Sequence, residues 1–147
     1  MKKLFFLLAL LSLTTLQAQD DKKTLVDLAA TEELSQEVVD LFQEMDIHTA
    51  FLKMAQYWPL PDNEIESLEG QTIRYLNMLS ERFGEVQGSA KVKTEYIGDF
   101  AQRETYILRY EYSAIRIIFS YFRNDEGWVI NAFKWDDSFE EEFIIDK

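Results

Sequence analysis

Four runs of strand-forming residues follow one another closely: Ala90–Ile97, Arg103–Ser113, Ile115–Arg123 and Trp128–Trp135. Short segments separate them, with a turn signal at Gly98–Asp99 and a four-residue hairpin loop, "NDEG", at Asn124–Gly127. Strands this close in sequence leave no room for crossovers, so they pair antiparallel with their chain neighbours. The preceding residues, from about Thr24 to Gly84, read as helices. Helices followed by strands point to an α+β domain, with three helices packed on one face of the sheet.

Each helix carries its own stripe. Leu34, Val38, Leu41, Phe42 and Met45 recur at helical spacing, which predicts a helix over about Thr31–Met45, or from nearer Thr24, with Thr31 as N-cap. Asp46 caps a second helix to about Tyr57, with Ile47, Ala50, Phe51, Met54 and Trp58 inside. Pro59 and Pro61 end it. Asp62 caps a third, whose inner face is Ile65, Leu68, Thr72, Tyr75, Leu76, Leu79 and Phe83, and Gly84 closes it. Gly70, inside this helix, predicts a bend or a close backbone contact.

The first residues belong to another element. Lys2 and Lys3 precede an apolar run, Leu4–Leu13, too short to span a bilayer comfortably, and Ala18 suits the position before cleavage. Residues 1–18 are therefore expected to be a secretory signal peptide and 19–147 a single domain, periplasmic or extracellular. The chain has no cysteine, which excludes disulfides and the cysteine-anchored lipoprotein form. Its net charge is −12 and becomes −14 when Lys2 and Lys3 are removed. Such acidity disfavours nucleic acid and anionic membrane surfaces as partners.

Strand parity divides the sheet into two faces. One carries Tyr106, Leu108, Tyr110 and Tyr112, then Ile115, Ile117, Phe119 and Tyr121, then Trp128 and Ile130. This almost wholly apolar face should meet the helices. The other mixes Ile107, Arg109 and Glu111 with Arg116, Ile118, Ser120 and Phe122, and with Val129, Asn131, Phe133 and Trp135. Arg109, Arg116, Phe122, Phe133 and Trp135 make it a candidate protein interface, because arginine–aromatic mixtures suit contact surfaces. Coverage by the N-terminal or C-terminal segment explains the same pattern. The acidic tail, with Phe139, Phe143 and Ile144, either closes over a core edge or frays.

The stretches "YIGDFAQRETYILRYEYS" and "IIFSYFRNDEGWVINAFKWDDSFEEEF" resemble the nuclear-transport-factor-2-like superfamily, the cystatin-like α+β roll, and within it small secreted bacterial proteins of uncharacterised function. The resemblance implies a curved sheet, a cone between helices and sheet that can hold a small ligand, and frequent dimerisation through the outer face. Tyr106, Tyr110, Tyr112, Phe119, Tyr121 and Trp128 would line that cone, or else fill it as ordinary core. Catalytic members of the superfamily use an Asp–His or Asp–Tyr pair. The lone His48 does not match that pattern, so no catalytic residue is assigned.

No metal or cofactor is expected either. One histidine cannot build a two-histidine site, and neither "DDSFEEE" nor "NDEG" has the ligand spacing of a calcium loop. The expected function is binding of a small ligand or protein partner, with homodimerisation. An enzyme using pocket Tyr and Asp/Glu side chains, and a purely structural interaction domain, are the alternatives.

Overall fold

A computed structural model describes residues 22–143. The signal-peptide region and Ile144 lie outside the described residues. Within them, α1 (Leu28–Gln43), α2 (Ile47–Ala55) and α3 (Asp62–Phe83) precede β1 (Val86–Ile97), β2 (Ala101–Tyr110), β3 (Ala114–Arg123) and β4 (Trp128–Asp136). The strands form one antiparallel sheet in the order β1-β2-β3-β4. The helices pack on one of its faces. The fold is the α+β arrangement expected from the order of periodicities.

Local chemistry sets the helix boundaries. Asp27, not Thr31, caps α1, and its Oδ1 accepts from Ala30 N–H at 2.8 Å. Thr31 is instead buried within the helix, donating its hydroxyl to the Leu28 carbonyl at 2.8 Å. Met45 adopts a left-handed φ of 61°, which stops α1 short of the expected end and lets Asp46 cap α2 at once. The expected stripe of α2 is entirely buried: Ile47, Ala50, Phe51, Met54 and Trp58. In α3 the cap position is Pro61, and Asp62 is the first helical residue. Gly84, with φ 83°, ends the helix. Gly70 marks no close backbone contact, since an added Cβ would meet only the Arg74 side chain at 3.5 Å.

Besides a register shift at Gln87 near the start of β1, two β-bulges interrupt the sheet. One falls at Val92, between Lys91↔Tyr106 and Lys93↔Thr105. The other falls at Asn131, between Tyr121↔Ile130 and Ser120↔Ala132. A bulge inserts one unpaired residue, and side chains beyond it change faces. Strict alternation along β4 placed Phe133 and Trp135 outside with Val129; the Asn131 bulge turns both toward the helices. Phe133 is buried against Phe42 and Phe51, each 5.7 Å away between ring centroids, and against Trp58 and Phe119. Trp135 packs on α3.

The core lies between the helices and this inner face. Val38, Val39, Phe42, Phe51, Met54, Leu76, Tyr106, Leu108, Ile117, Phe119 and Ile130 are essentially inaccessible to solvent. Leu25 adds a short bridge to the free edge of β4, exchanging two 2.8 Å backbone hydrogen bonds with Trp128. No described helix is long and apolar enough to cross a membrane.

Candidate functional site

The structure brings five of the six predicted pocket residues together. Tyr106, Tyr110, Phe119, Tyr121 and Trp128 are all buried on the inner face. Tyr112 is not with them. Strand β2 ends at Tyr110, and Tyr112 sits in the following turn with 80% of its surface exposed. The five pack as core: Phe119 meets Tyr106 edge-on at 5.8 Å and Tyr121 face-on at 6.4 Å. Helices α1 to α3 fill the space above them. The Tyr110 hydroxyl, buried beside Ser80, makes no hydrogen bond of ordinary geometry, and burial pushes its pKa up to about 12.

Beneath α1 lies a polar cluster that strand periodicity conceals. Glu104 sits on the inner face of β2 with 0% of its surface exposed. Its carboxyl accepts from the Gln102 side-chain amide and, at 3.2 Å, from the Tyr106 hydroxyl. Beside it, Ser35 Oγ and the Tyr121 hydroxyl are 2.6 Å apart, and Tyr121 donates to the Thr31 carbonyl at 3.2 Å. Burial raises the pKa of Glu104 and those of Tyr106 and Tyr121 above their ordinary ranges. Glu104 was legible in principle, because Gln102, Glu104, Tyr106, Leu108 and Tyr110 share one parity. An acid in an inward row is the signal to follow.

His48 has a partner in space. Its Nδ1 lies 2.8 Å from Glu69 Oε1, which joins α2 to α3. The pair borders a surface cleft of about 420 Å³ with Phe51, Leu52 and Ile65 on its wall and Lys22 and Lys23 at one end. His48 is largely exposed. No group of three or more His, Asp or Glu among the described residues is placed to hold a metal ion.

The outer face divides in two. Near the start of β3, Arg116 is buried and gathers three carboxylates. It pairs bidentately with Asp136, Nε to Oδ1 at 2.7 Å and Nη2 to Oδ2 at 2.8 Å. Its Nη1 reaches Glu142 at 2.7 Å and Glu141 at 2.8 Å. Glu142 also meets Lys93 Nζ at 2.6 Å. The short helix η1 (Phe139–Glu142) is thereby held against β3 on this face, where Thr105 and Ile118 are also buried. The acidic tail covers this half through ion pairs with the arginine expected at an interface. Hydrogen bonds from Arg116 hold Asp136 below the usual carboxylate range. Burial opposes ionisation of Glu142, but Lys93 and Arg116 outweigh it and lower its pKa.

The other half, around the β1–β2 turn, is open. Ile97 is 65% exposed and Phe122 43%, with Phe100 exposed beside them, while the exposed Tyr96 points to the opposite face of the sheet. Phe100 and Phe122 touch edge-on at 6.3 Å. A cleft of about 350 Å³ runs through this patch between Ile97, Phe122 and Asn131. Its charges are paired with each other, Arg103 with Glu95 at 2.7 Å. Of the predicted interface residues, Phe122 belongs to this patch and Arg109 is exposed elsewhere on β2. Arg116 is engaged by the tail, and Phe133 and Trp135 face the helices. Comparison of the chain with protein-family models, with curated proteins and with solved structures finds no match in any of the three.

Proposed function

We propose that this chain is a secreted, non-catalytic interaction protein of the nuclear-transport-factor-2-like kind, which binds a second copy of itself through the exposed tip of its sheet. The carrying observation is the apolar patch of Ile97, Phe100 and Phe122, whose neighbouring charges, Arg103 and Glu95, cancel in a local ion pair. On a chain of net charge −12, two copies repel each other over most of their surfaces. They can approach where the local charge is zero and apolar area is available for burial. The ligand-cone and enzyme readings have less behind them. The inner aromatics are packed core, and Glu104 with Tyr106, the carboxyl–tyrosine pair an enzyme would need, is sealed from solvent.

Sedimentation velocity across a concentration series tests the proposal. Wild type should move from monomer to dimer as concentration rises. A Phe122→Glu, Ile97→Glu variant should stay monomeric while keeping its circular-dichroism spectrum. A wild type that remains monomeric throughout the series refutes the reading.

A further inference from the structure

One cation stands between two acids beneath α1. Lys91 Nζ, reaching inward from β1, lies 2.9 Å from Glu32 Oε1 on α1 and 4.0 Å from Glu104 Oε1 on β2. The first distance is a charge-assisted hydrogen bond and the second is outside hydrogen-bond reach. Glu32 is more than half exposed, whereas the Glu104 side chain is fully buried. The remaining neighbours of Glu104 are uncharged: the Gln102 amide and the hydroxyls of Tyr106 and, across from α1, Ser35, hydroxyls that can accept the proton of a neutral acid as well as donate to an anion. From β3, the buried Tyr121 hydroxyl faces the same cluster and brings no charge.

We propose that Glu104 is held as the neutral carboxylic acid in the folded protein, and that its ionisation draws Lys91 from Glu32 to Glu104, releasing a tie between α1 and the edge of the sheet. A fully buried carboxylate with no cation hydrogen-bonded to it is costly, so the proton stays while Lys91 serves Glu32. Once the proton leaves to solvent, the balance reverses. The new anion sits in a low-dielectric environment, where attraction to Lys91 is far stronger than that of water-screened Glu32. The ion pair then moves from between two elements to within the sheet, leaving α1 held there by its apolar stripe and by the Ser35–Tyr121 hydrogen bond. Desolvation, which raises the pKa of Glu104 against the opposing effect of Lys91, agrees with this order of events.

The test is a carbon-13 NMR titration of the purified protein, following the Glu104 side-chain carboxyl and Lys91 Cε together. Two outcomes are expected. The Glu104 carboxyl should titrate with a midpoint above that of an ordinary glutamate, and Lys91 Cε should shift with the same midpoint. In Glu104→Gln, which keeps the shape and the hydrogen-bonding capacity, the Lys91 transition at that midpoint should vanish. In Glu32→Gln, which leaves Glu104 untouched, the Glu104 midpoint should fall, because Lys91 is then free to serve it. A Glu104 carboxyl that titrates at or below the ordinary glutamate range overturns the proposal. So does a Lys91 signal that ignores the Glu104 transition in wild type.

Discussion

Trp135 lies flat on Tyr75, with ring centroids 4.1 Å apart and 14° between the planes, and its Nε1–H donates to Thr72 Oγ1 at 2.8 Å. This joins the end of β4 to the middle of α3. Trp135→Ala should therefore destabilise the fold by roughly 3 kcal/mol, as large-to-small aromatic truncations do. Trp135→Phe should cost less, about 1 kcal/mol for the lost hydrogen bond plus a smaller packing loss. Urea melts would measure both. The sheet-tip dimer should persist in the folded fraction of either variant.

Asn131 is the extra residue that turns Phe133 and Trp135 inward. Deleting it should remove the bulge and leave Ile130, Phe133 and Trp135 in one strictly alternating inward row, still opposite Tyr121, Phe119 and Ile117. The expected result is a cooperative thermal transition retained in the deletion variant. Replacement by Ala, which preserves the residue count, should change stability by no more than about 1 kcal/mol. If the deletion variant instead loses its cooperative transition, the phase of the inward row is not what holds Phe133 and Trp135 in the core.

Arg116 is the one cation shared by Asp136, Glu141 and Glu142. Removing a buried partner leaves its counter-charges uncompensated, so Arg116→Ala should cost roughly 3 kcal/mol. It should also free the tail, which limited proteolysis would reveal as early cleavage after residue 136. Arg116→Lys should recover little, because an ammonium cannot make the bidentate contact with Asp136.

The pH dependence of stability should have two sides. Asp136, Glu142 and Glu95 have lowered folded-state pKa values, through hydrogen bonds from Arg116, Lys93 and Arg103. Their contribution is present above the unfolded carboxylate pKa and lost as pH falls through the folded values. Glu104 is the opposite case, raised by burial. Its contribution is complete below the unfolded glutamate pKa and lost as pH rises through the folded one. Glu104→Gln should flatten the alkaline side of the curve and leave the acid side in place. Thermal melts from pH 3 to 9 would separate them.

The linear pattern alone determined the element order and fold class. Helical stripes such as Ile47, Ala50, Phe51, Met54 and Trp58 are local periodicities, and each residue reports its own face through spacing to its neighbours. The same holds for β2, where Tyr106, Leu108 and Tyr110 face inward as their parity requires. Past Asn131 the parity rule fails, because a bulge exists only relative to the partner strand. The pairing of Tyr121 with Ile130 and Ser120 with Ala132 created it, and no feature within β4 announces it. Tertiary structure likewise decided that His48 meets Glu69, that Glu104 lies beneath α1, and that the acidic tail returns to Arg116. These contacts join residues 21, 72 and 26 positions apart: His48 to Glu69, Glu32 across Lys91 to Glu104, and Arg116 to Glu142. Periodicity carries information about which face a side chain takes, but none about what the rest of the chain brings to that face.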